Sequence, residues 1–285
     1  MNNLLDPVVY PELKKYLQEQ YAGVFDESMV NSLVSEYIDD KNSTVLANDL
    51  VADGHFGRRM LDIGSGYGSN VLASRQAGID AIGIEIAPFE VEFARKRLRQ
   101  ERPDDSPDNV YLLGSALHLP FQDDSFDLIT IMNVLEHVTD YRRLLSEAVR
   151  VLRPNGALYI VCPNYAAFRR EAHYQVPWLP LLNKDLAGWY LKAIGRNPQF
   201  LKMSIHYCTN WGILRCLSQL QVRIVNPQFE KLRNISAIRS KNARTMLLAV
   251  ERLGLMWIAK WLVAAQFYNP CKASVRLTAV KQIIR

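Results

Sequence analysis

The chain has 285 residues, 49% apolar and 22% charged, with a formal net charge of +5. That is the make-up of a globular protein of one large or two small domains, and no apolar run nears the ~20 residues of a membrane span. The four cysteines, Cys162, Cys208, Cys216 and Cys271, form no CxxC pair, which argues against a disulfide framework and against a zinc site.

Met1 to Tyr10 carries Asp6 and no basic n-region. No secretory signal is expected, and a cytoplasmic location is the default. The basic clusters, such as Arg95-Lys96-Arg97, are short and lack interleaved aromatics. Solvated helix faces account for them, and no nucleic-acid partner is expected.

Residues 1–57 read as a helical cap. A helix from Pro11 to Gln20 has proline in its first turn. A second, Glu27 to Ile38, places Met29, Val30, Leu33, Val34 and Tyr37 at helical spacing. Ser43 or Thr44 is a candidate cap for a third helix, which Gly54 and Gly57 would end.

Residues 58–163 then alternate strands with helices. The spacing predicts strands at Met60–Ile63, Ala81–Ile86, Val110–Leu113, Phe126–Met132 and Ala157–Cys162. Helices are expected at Asn70–Ala77, Phe89–Gln100 and Tyr141–Val151. The strands are apolar without clean alternation, as in a parallel sheet covered on both faces. The fold class that follows is α/β, a doubly wound, mostly parallel sheet.

Residues 164–206 break that pattern. Prolines at 177, 180 and 198 interrupt a stretch rich in aromatics, including Tyr165, Phe168, Tyr174, Trp178 and Trp189. It follows a strand's C-terminal end, where α/β sheets place their ligand crevice, so a lid or substrate wall is expected. A packing insertion is the alternative. Residues 207–285 close the core with a helix at Asn210–Leu220 and strands at Val222–Val225 and Val275–Ala279. Between them, about 231–268 is helical and increasingly apolar, but interrupted by Arg252 and Lys260. It is a candidate for core packing, for an oligomer contact or for peripheral membrane contact.

The chemistry concentrates at Met60–Asn70, Met-Leu-Asp-Ile-Gly-Ser-Gly-Tyr-Gly-Ser-Asn. A strand runs into a turn with glycines at 64, 66 and 68, and a helix follows. Glycine tolerates positive φ and lets a ligand approach the backbone, and the helix start offers N–H groups. Glu85 ends the second strand, 21 residues after Gly64, where a carboxylate can accept from both hydroxyls of a ribose. A dinucleotide fold would place glycine at 69, where this chain has Ser69. Ser is small, so this is only mild evidence against an NAD-dependent enzyme, which stays open as an alternative at this point.

Five motifs occur in order: Met60–Asn70, Gly83–Ile86, the run Gly114-Ser-Ala-Leu-His-Leu-Pro-Phe-Gln-Asp-Asp-Ser-Phe-Asp-Leu-Ile129, Asn133-Val-Leu-Glu-His-Val138, and Val151-Leu-Arg-Pro-Asn-Gly-Ala157. As a set, from Arg58 to Asn164, they resemble the class I S-adenosylmethionine-dependent methyltransferases, in particular their broad small-molecule group. The resemblance implies a Rossmann-like sheet of seven strands, the last antiparallel, with S-adenosylmethionine as cofactor. It implies that Asp62 and the backbone of Gly64, Ser65, Gly66 and Gly68 hold the methionine part. Glu85 would bind the ribose, Ile86 would cover the adenine, and Ser115, Ala116 and Leu117 would line its edge. Asn133 would lie near the reacting methyl group. Many relatives have Asp in place of Ser115, so weaker adenine recognition is expected, by about 1 kcal/mol.

Methyl transfer is an SN2 displacement, and an oxygen acceptor benefits from a base. His137 is the candidate base, with a structural histidine as the alternative. Related quinone-pathway enzymes have Glu-x-x-Glu-His in this turn, proposed to hold a divalent metal. Asn133 removes the first carboxylate here, so no metal is expected. His173, Tyr174, Trp178 and His206 are candidate substrate contacts. The insertion is similar to those of bacterial methyltransferases acting on polysaccharides or lipids, so the expected acceptor is a small molecule or a glycan- or lipid-linked group, methylated at oxygen. A catalytically silent binding module, at a membrane surface or in a complex, is the second hypothesis.

Overall fold

A computed structural model describes residues 9–171, 173–226, 229, 232–237, 240–267, 269 and 272–283. Three helices open the chain: α1 (Val9–Gln20), α2 (Glu27–Ile38) and α3 (Lys41–Leu50). The sheet is built from β1 (Arg59–Ile63), β2 (Asp80–Glu85), β3 (Tyr111–Leu113), β4 (Phe126–Met132) and β5 (Leu152–Pro163). Between them lie α4 (Ser69–Gln76), α5 (Pro88–Glu101), the single turn α6 (Pro107–Val110) and α7 (Tyr141–Val151). A small ribbon follows, β6 (Arg169–Arg170) with β7 (Pro177–Trp178), then α8 (Lys184–Ala193), α9 (Gln199–Ser204) and α10 (Asn210–Ser218). The chain closes with β8 (Val222–Val225), α11 (Lys241–Arg252), α12 (Met256–Phe267) and β9 (Ser274–Lys281).

The main sheet has seven strands in the order β3-β2-β1-β4-β5-β9-β8. The first five pair in parallel, and β9 runs antiparallel between β5 and β8. The mostly parallel doubly wound sheet expected from the sequence is therefore present. Strand order reverses between β1 and β4. At that switch point two loops diverge from adjacent strand ends and leave a crevice between them.

Alternate side chains of each strand enter different layers. Leu61, Ile63, Ile129 and Ile131 face one core, while Met60, Ala81 and Leu128 face the other. The first core also contains Tyr165, Tyr174, Trp178, Leu191, Leu201 and Ile205. The aromatic insertion is thus welded to the domain instead of hanging from it. The N-terminal helices make a third cluster, in which Leu13, Leu17, Val30 and Val34 close over Phe93 of α5.

Two local expectations need correction. Helix α3 starts at Lys41, behind Asp40, so Ser43 and Thr44 lie inside it. The Ser43 hydroxyl instead donates to Asn70 Oδ1 at 2.8 Å, tying the cap to the start of α4. The helix passes at Leu50 into one wider turn, Val51–His55, in which Gly54 has φ +92°.

Arg97 binds the cap to the glycine turn. It is 1% exposed, its Nη2 lies 2.6 Å from Asp40 Oδ2, and its Nη1 donates to the Tyr67 carbonyl and to Ser69 Oγ. Removing one partner of a buried pair leaves a charge with neither water nor counter-ion. Arg97→Ala is therefore expected to lower unfolding free energy by about 3 kcal/mol, measured by urea unfolding. Arg97→Lys should recover part of this only, because an ammonium lacks the fork that reaches three acceptors.

Candidate active site

The glycine turn has three positive-φ glycines with three different reasons. Gly64 (φ +72°) leaves no room for a side chain, since a Cβ there would sit 2.4 Å from Val134. Gly68 (φ +88°) is packed against the Tyr111 hydroxyl and Ala94. Gly66 (φ +49°) differs: its Cβ position meets only Glu90 Oε2, at 3.6 Å. The turn thus offers an open backbone cradle at Gly66, bordered by a carboxylate.

The N–H groups of the turn are largely committed. Gly64 and Ser65 both donate to the Ile84 carbonyl, and Gly68 donates to that of Ser65. Ser65 is buried with its side chain against Gly83. These three residues shape the turn, and their N–H groups do not point to a ligand. That narrows the expected role of Gly64, Ser65 and Gly68.

Glu85 is the hinge of the site. Its Oε2 accepts from Gly66 N at 3.1 Å, and its Oε1 accepts from Ile86 N and Ala87 N at 2.6 and 3.0 Å. Its own carbonyl accepts from Gly114 N. One carboxylate therefore joins the glycine turn, the end of β2 and the loop after β3. A carboxylate has about four acceptor positions, so one remains for a ribose hydroxyl. Ile86 is 69% exposed beside it, an uncovered apolar face. Ser115, Ala116 and Leu117 are half-buried in the neighbouring loop, where Ser115 Oγ accepts from Leu117 N at 3.2 Å.

Asp62 is sealed rather than open. It pairs in register with Thr130 across β1 and β4 and accepts its hydroxyl at 2.5 Å. Burial pushes its carboxyl up to about 7, against the pull of Thr130 and Asn70. Its Oδ2 is buried and closes no hydrogen bond of good geometry. The expected contact of Asp62 with the methionine part would have to be made through this buried carboxylate, which Thr130 holds in place.

Four tyrosines and Glu90 were not singled out by sequence. Tyr67 lies close enough to Glu90 for the two to perturb each other's titration, and its ring lies 4.6 Å from that of Tyr37. Tyr21 and Tyr37 are electrostatic neighbours, and Tyr16 stacks on Phe89 at 3.8 Å. All four are half-buried, and burial raises every one of these phenols. Burial, reinforced by the charge of Glu85, pushes Glu90 up to about 7. The cap thus supplies an aromatic wall facing the glycine turn. The signal was the placement of Glu90 in the first turn of α5, five residues after Glu85.

The same wall continues to the turn after β4. Tyr21 meets Phe200 at 5.5 Å, and Phe200 meets His173 at 5.1 Å and His137 at 6.2 Å. Asn133 opens that turn with φ +57° and is exposed. Val134 abuts Gly64, so the turn that carries His137 touches the glycine turn. His137 Nδ1 lies 2.9 Å from the Ser204 carbonyl. A carbonyl can only accept, so Nδ1 carries the proton and Nε2 keeps its lone pair. The ring edge is open, but the protein around it excludes enough water to push the imidazole down to about 4. His137 is thus neutral at physiological pH.

His173 lies 5.1 Å from His137, ring to ring, and its Nδ1 is 3.1 Å from Glu171 Oε1. Glu171 is fully buried and accepts also from the His173 and Tyr174 backbone and from the Tyr165 hydroxyl. Sequence reasoning missed it. His206 is half-buried nearby, with its N–H on the Glu136 carbonyl, and burial lowers its imidazole.

Tyr174 and Trp178 do not meet the expectation of substrate contact. Both are 0% exposed, and the Tyr174 hydroxyl donates to the Asn197 carbonyl and accepts from Leu201 N. They are the insertion's own core, and Phe200 takes the place on the wall expected of them.

Residues 61–160 match the family model described as "Methyltransferase domain". A methyltransferase domain therefore occupies residues 61–160. It is 36% identical over 105 residues to the methyltransferase GfsG of Streptomyces halstedii, over 36% of this chain and 37% of that one. It is 32% identical over 147 residues to the demethylmenaquinone methyltransferase of Clavibacter sepedonicus, over 52% of each. The chain thus spans about half or less of the length of these curated relatives. Among solved structures, the [4+2]-cyclase SpnF aligns with TM-score 0.52 and 20% identity, over 86% of this chain and 81% of that one. Phosphoethanolamine N-methyltransferase 2 of Haemonchus contortus, solved with S-adenosyl-L-methionine, aligns with TM-score 0.51 and 19% identity, over 85% and 53%. At these identities the structures show the fold of the methyltransferase domain.

Proposed function

We propose that the protein transfers a methyl group from S-adenosylmethionine to an oxygen of a small-molecule, glycan- or lipid-linked acceptor. One observation carries the cofactor reading. Glu85 clasps Gly66 N at the switch point, and the cradle at Gly66 is left open beside Glu90. A ribose hydroxyl suits the spare position on Glu85, and the positively charged methionine end suits a backbone concavity bordered by a carboxylate and tyrosine faces. The group supplies an activated methyl on a sulfonium, while the chain supplies position, exclusion of water and a place for the proton.

Two histidines on the wall are suited to that proton. Neutral His137 presents Nε2, but its low pKa makes it a weak base. His173 presents its own Nε2, with its Nδ1 held 3.1 Å from Glu171 Oε1, which fixes the orientation of the ring. The half-buried aromatic lining favours an acceptor with an apolar or sugar-like face.

A silent binding module is the second reading, since a fold that also hosts a [4+2]-cyclase does not specify chemistry by itself. Titration calorimetry with S-adenosylhomocysteine tests the cofactor site first. Micromolar binding at one site is expected. A folded chain that shows no heat at ~1 mM ligand would overturn the proposal. Incubation with S-adenosylmethionine and any small molecule found to co-purify then separates the two readings, because only an enzyme yields a product 14 mass units heavier (~14 Da for a net CH2).

A further inference from the structure

Among the described elements, the pair α11–α12 stands apart from the apolar core. Of residues 242–265, none is buried. None joins any of the three apolar clusters. Yet the pair is strongly apolar outward: Met246, Leu248, Leu253, Leu255, Trp257, Trp261 and Leu262 are all exposed, with Leu253 at 71%, Trp257 at 67% and Trp261 at 64%. Leu253 and Gly254, the latter at φ +69°, form the corner between the helices. Trp257 and Trp261 stand at i and i+4, on one face of α12.

An unsatisfied apolar surface of this kind needs a second phase. Its charge selects which one. Arg244, Arg252 and Lys260 are set among the apolar residues, against the single carboxylate Glu251. A second copy packed around a two-fold axis would bring these like charges together. An anionic lipid surface would pair with them while taking up the tryptophans at headgroup depth. The helices have twelve residues each, about 18 Å, and among the described residues no helix is long and apolar enough to cross a membrane. Such helices lie in the interface.

We propose that α11–α12 is a membrane anchor that docks the protein on anionic lipid through Leu253, Trp257, Trp261 and the surrounding basic residues. This stands apart from the methyl-transfer chemistry and does not depend on it.

The test is sedimentation of the full chain with vesicles of phosphatidylcholine alone or with about 30% phosphatidylglycerol. Binding is expected only to the anionic vesicles, weakened about tenfold by raising salt to ~0.5 M. Trp257→Ser with Trp261→Ser should lower the partition coefficient at least about tenfold, and Arg252→Glu with Lys260→Glu should lower it comparably. Circular dichroism and unchanged S-adenosylhomocysteine affinity serve as controls for folding. Failure of the native chain to pellet overturns the proposal, as does binding unchanged by both double variants. Light scattering that shows a dimer, broken by the tryptophan variant, assigns the surface to a second copy and overturns it too.

Discussion

Glu85→Ala should cut S-adenosylhomocysteine affinity by a factor of about 100 to 1,000. The carboxylate holds Gly66 N, Ile86 N and Ala87 N, and the cofactor reading gives it a ribose hydroxyl as well. Hydrogen bonds to a charged group contribute about 1.5–3 kcal/mol each. Alanine removes the ribose contact and also frees Gly66 from β2, so the cradle loses its registration. The two effects together reach the stated range. Glu85→Gln separates them. Its amide oxygen can still accept two N–H groups, but its NH2 would confront a third donor, so an intermediate loss is expected. Calorimetry at fixed pH gives the affinities, and thermal unfolding without ligand shows how much of the loss is structural. If Glu85→Ala binds within about threefold of the native chain (well under 1 kcal/mol,), the carboxylate only shapes the loop and the ribose role fails.

What could be read along the chain, and what could not, follows from how far apart the interacting residues lie. Helices α2 and α7 and strands β4 and β8 occupy the ranges that periodicity and turn residues indicated, because those signals are local. The glycine turn and Glu85 were legible for a similar reason: strand, turn and acid sit at a spacing that geometry dictates. The wall of the site was not. Tyr16, Tyr37, Tyr67 and Glu90 come from four separate segments, and nothing in their spacing announces that they converge. In the insertion, an aromatic residue can either fill a core or line a crevice. Tyr174 and Trp178 are buried in the core cluster that also holds Leu191 and Leu201, while Phe200 is only partly buried against it. Glu171 was overlooked because a lone Glu in a loop is ordinarily solvated. Only the fold shows it buried under four hydrogen bonds.

The convergence at Glu90 leads to a pH dependence of unusual sign. A carboxylate that gains a partner on folding has a depressed pKa, and stability is lost in acid. Glu90 is raised, to about 7 from an ordinary 4.5, by burial and by the neighbouring charge of Glu85. Asp62 is raised to about 7 as well. Between pH 4.5 and 7 the folded chain therefore binds more protons than the unfolded chain, and stability in the absence of ligand should fall as pH rises through that window. The phenols of Tyr16, Tyr21, Tyr37 and Tyr67 stay protonated throughout, being raised themselves. Among the described residues, Glu85 is then the other charge that acts on Glu90. A cation placed over Gly66 reverses the balance. It favours ionised Glu90, so S-adenosylmethionine should bind with release of a proton, and its affinity should rise with pH by up to about tenfold per unit, levelling off above 7. Calorimetry in two buffers of different ionisation enthalpy counts the protons directly. Glu90→Gln should flatten most of the slope, leaving affinity little changed at pH 5.5 and reduced at pH 8. A residual slope in that variant belongs to Asp62. S-adenosylhomocysteine keeps the ammonium but lacks the sulfonium charge. A slope that it shares in full would therefore place the ammonium beside Glu90. One that S-adenosylmethionine alone shows would place the sulfonium there, with the methyl group directed toward the tyrosine wall.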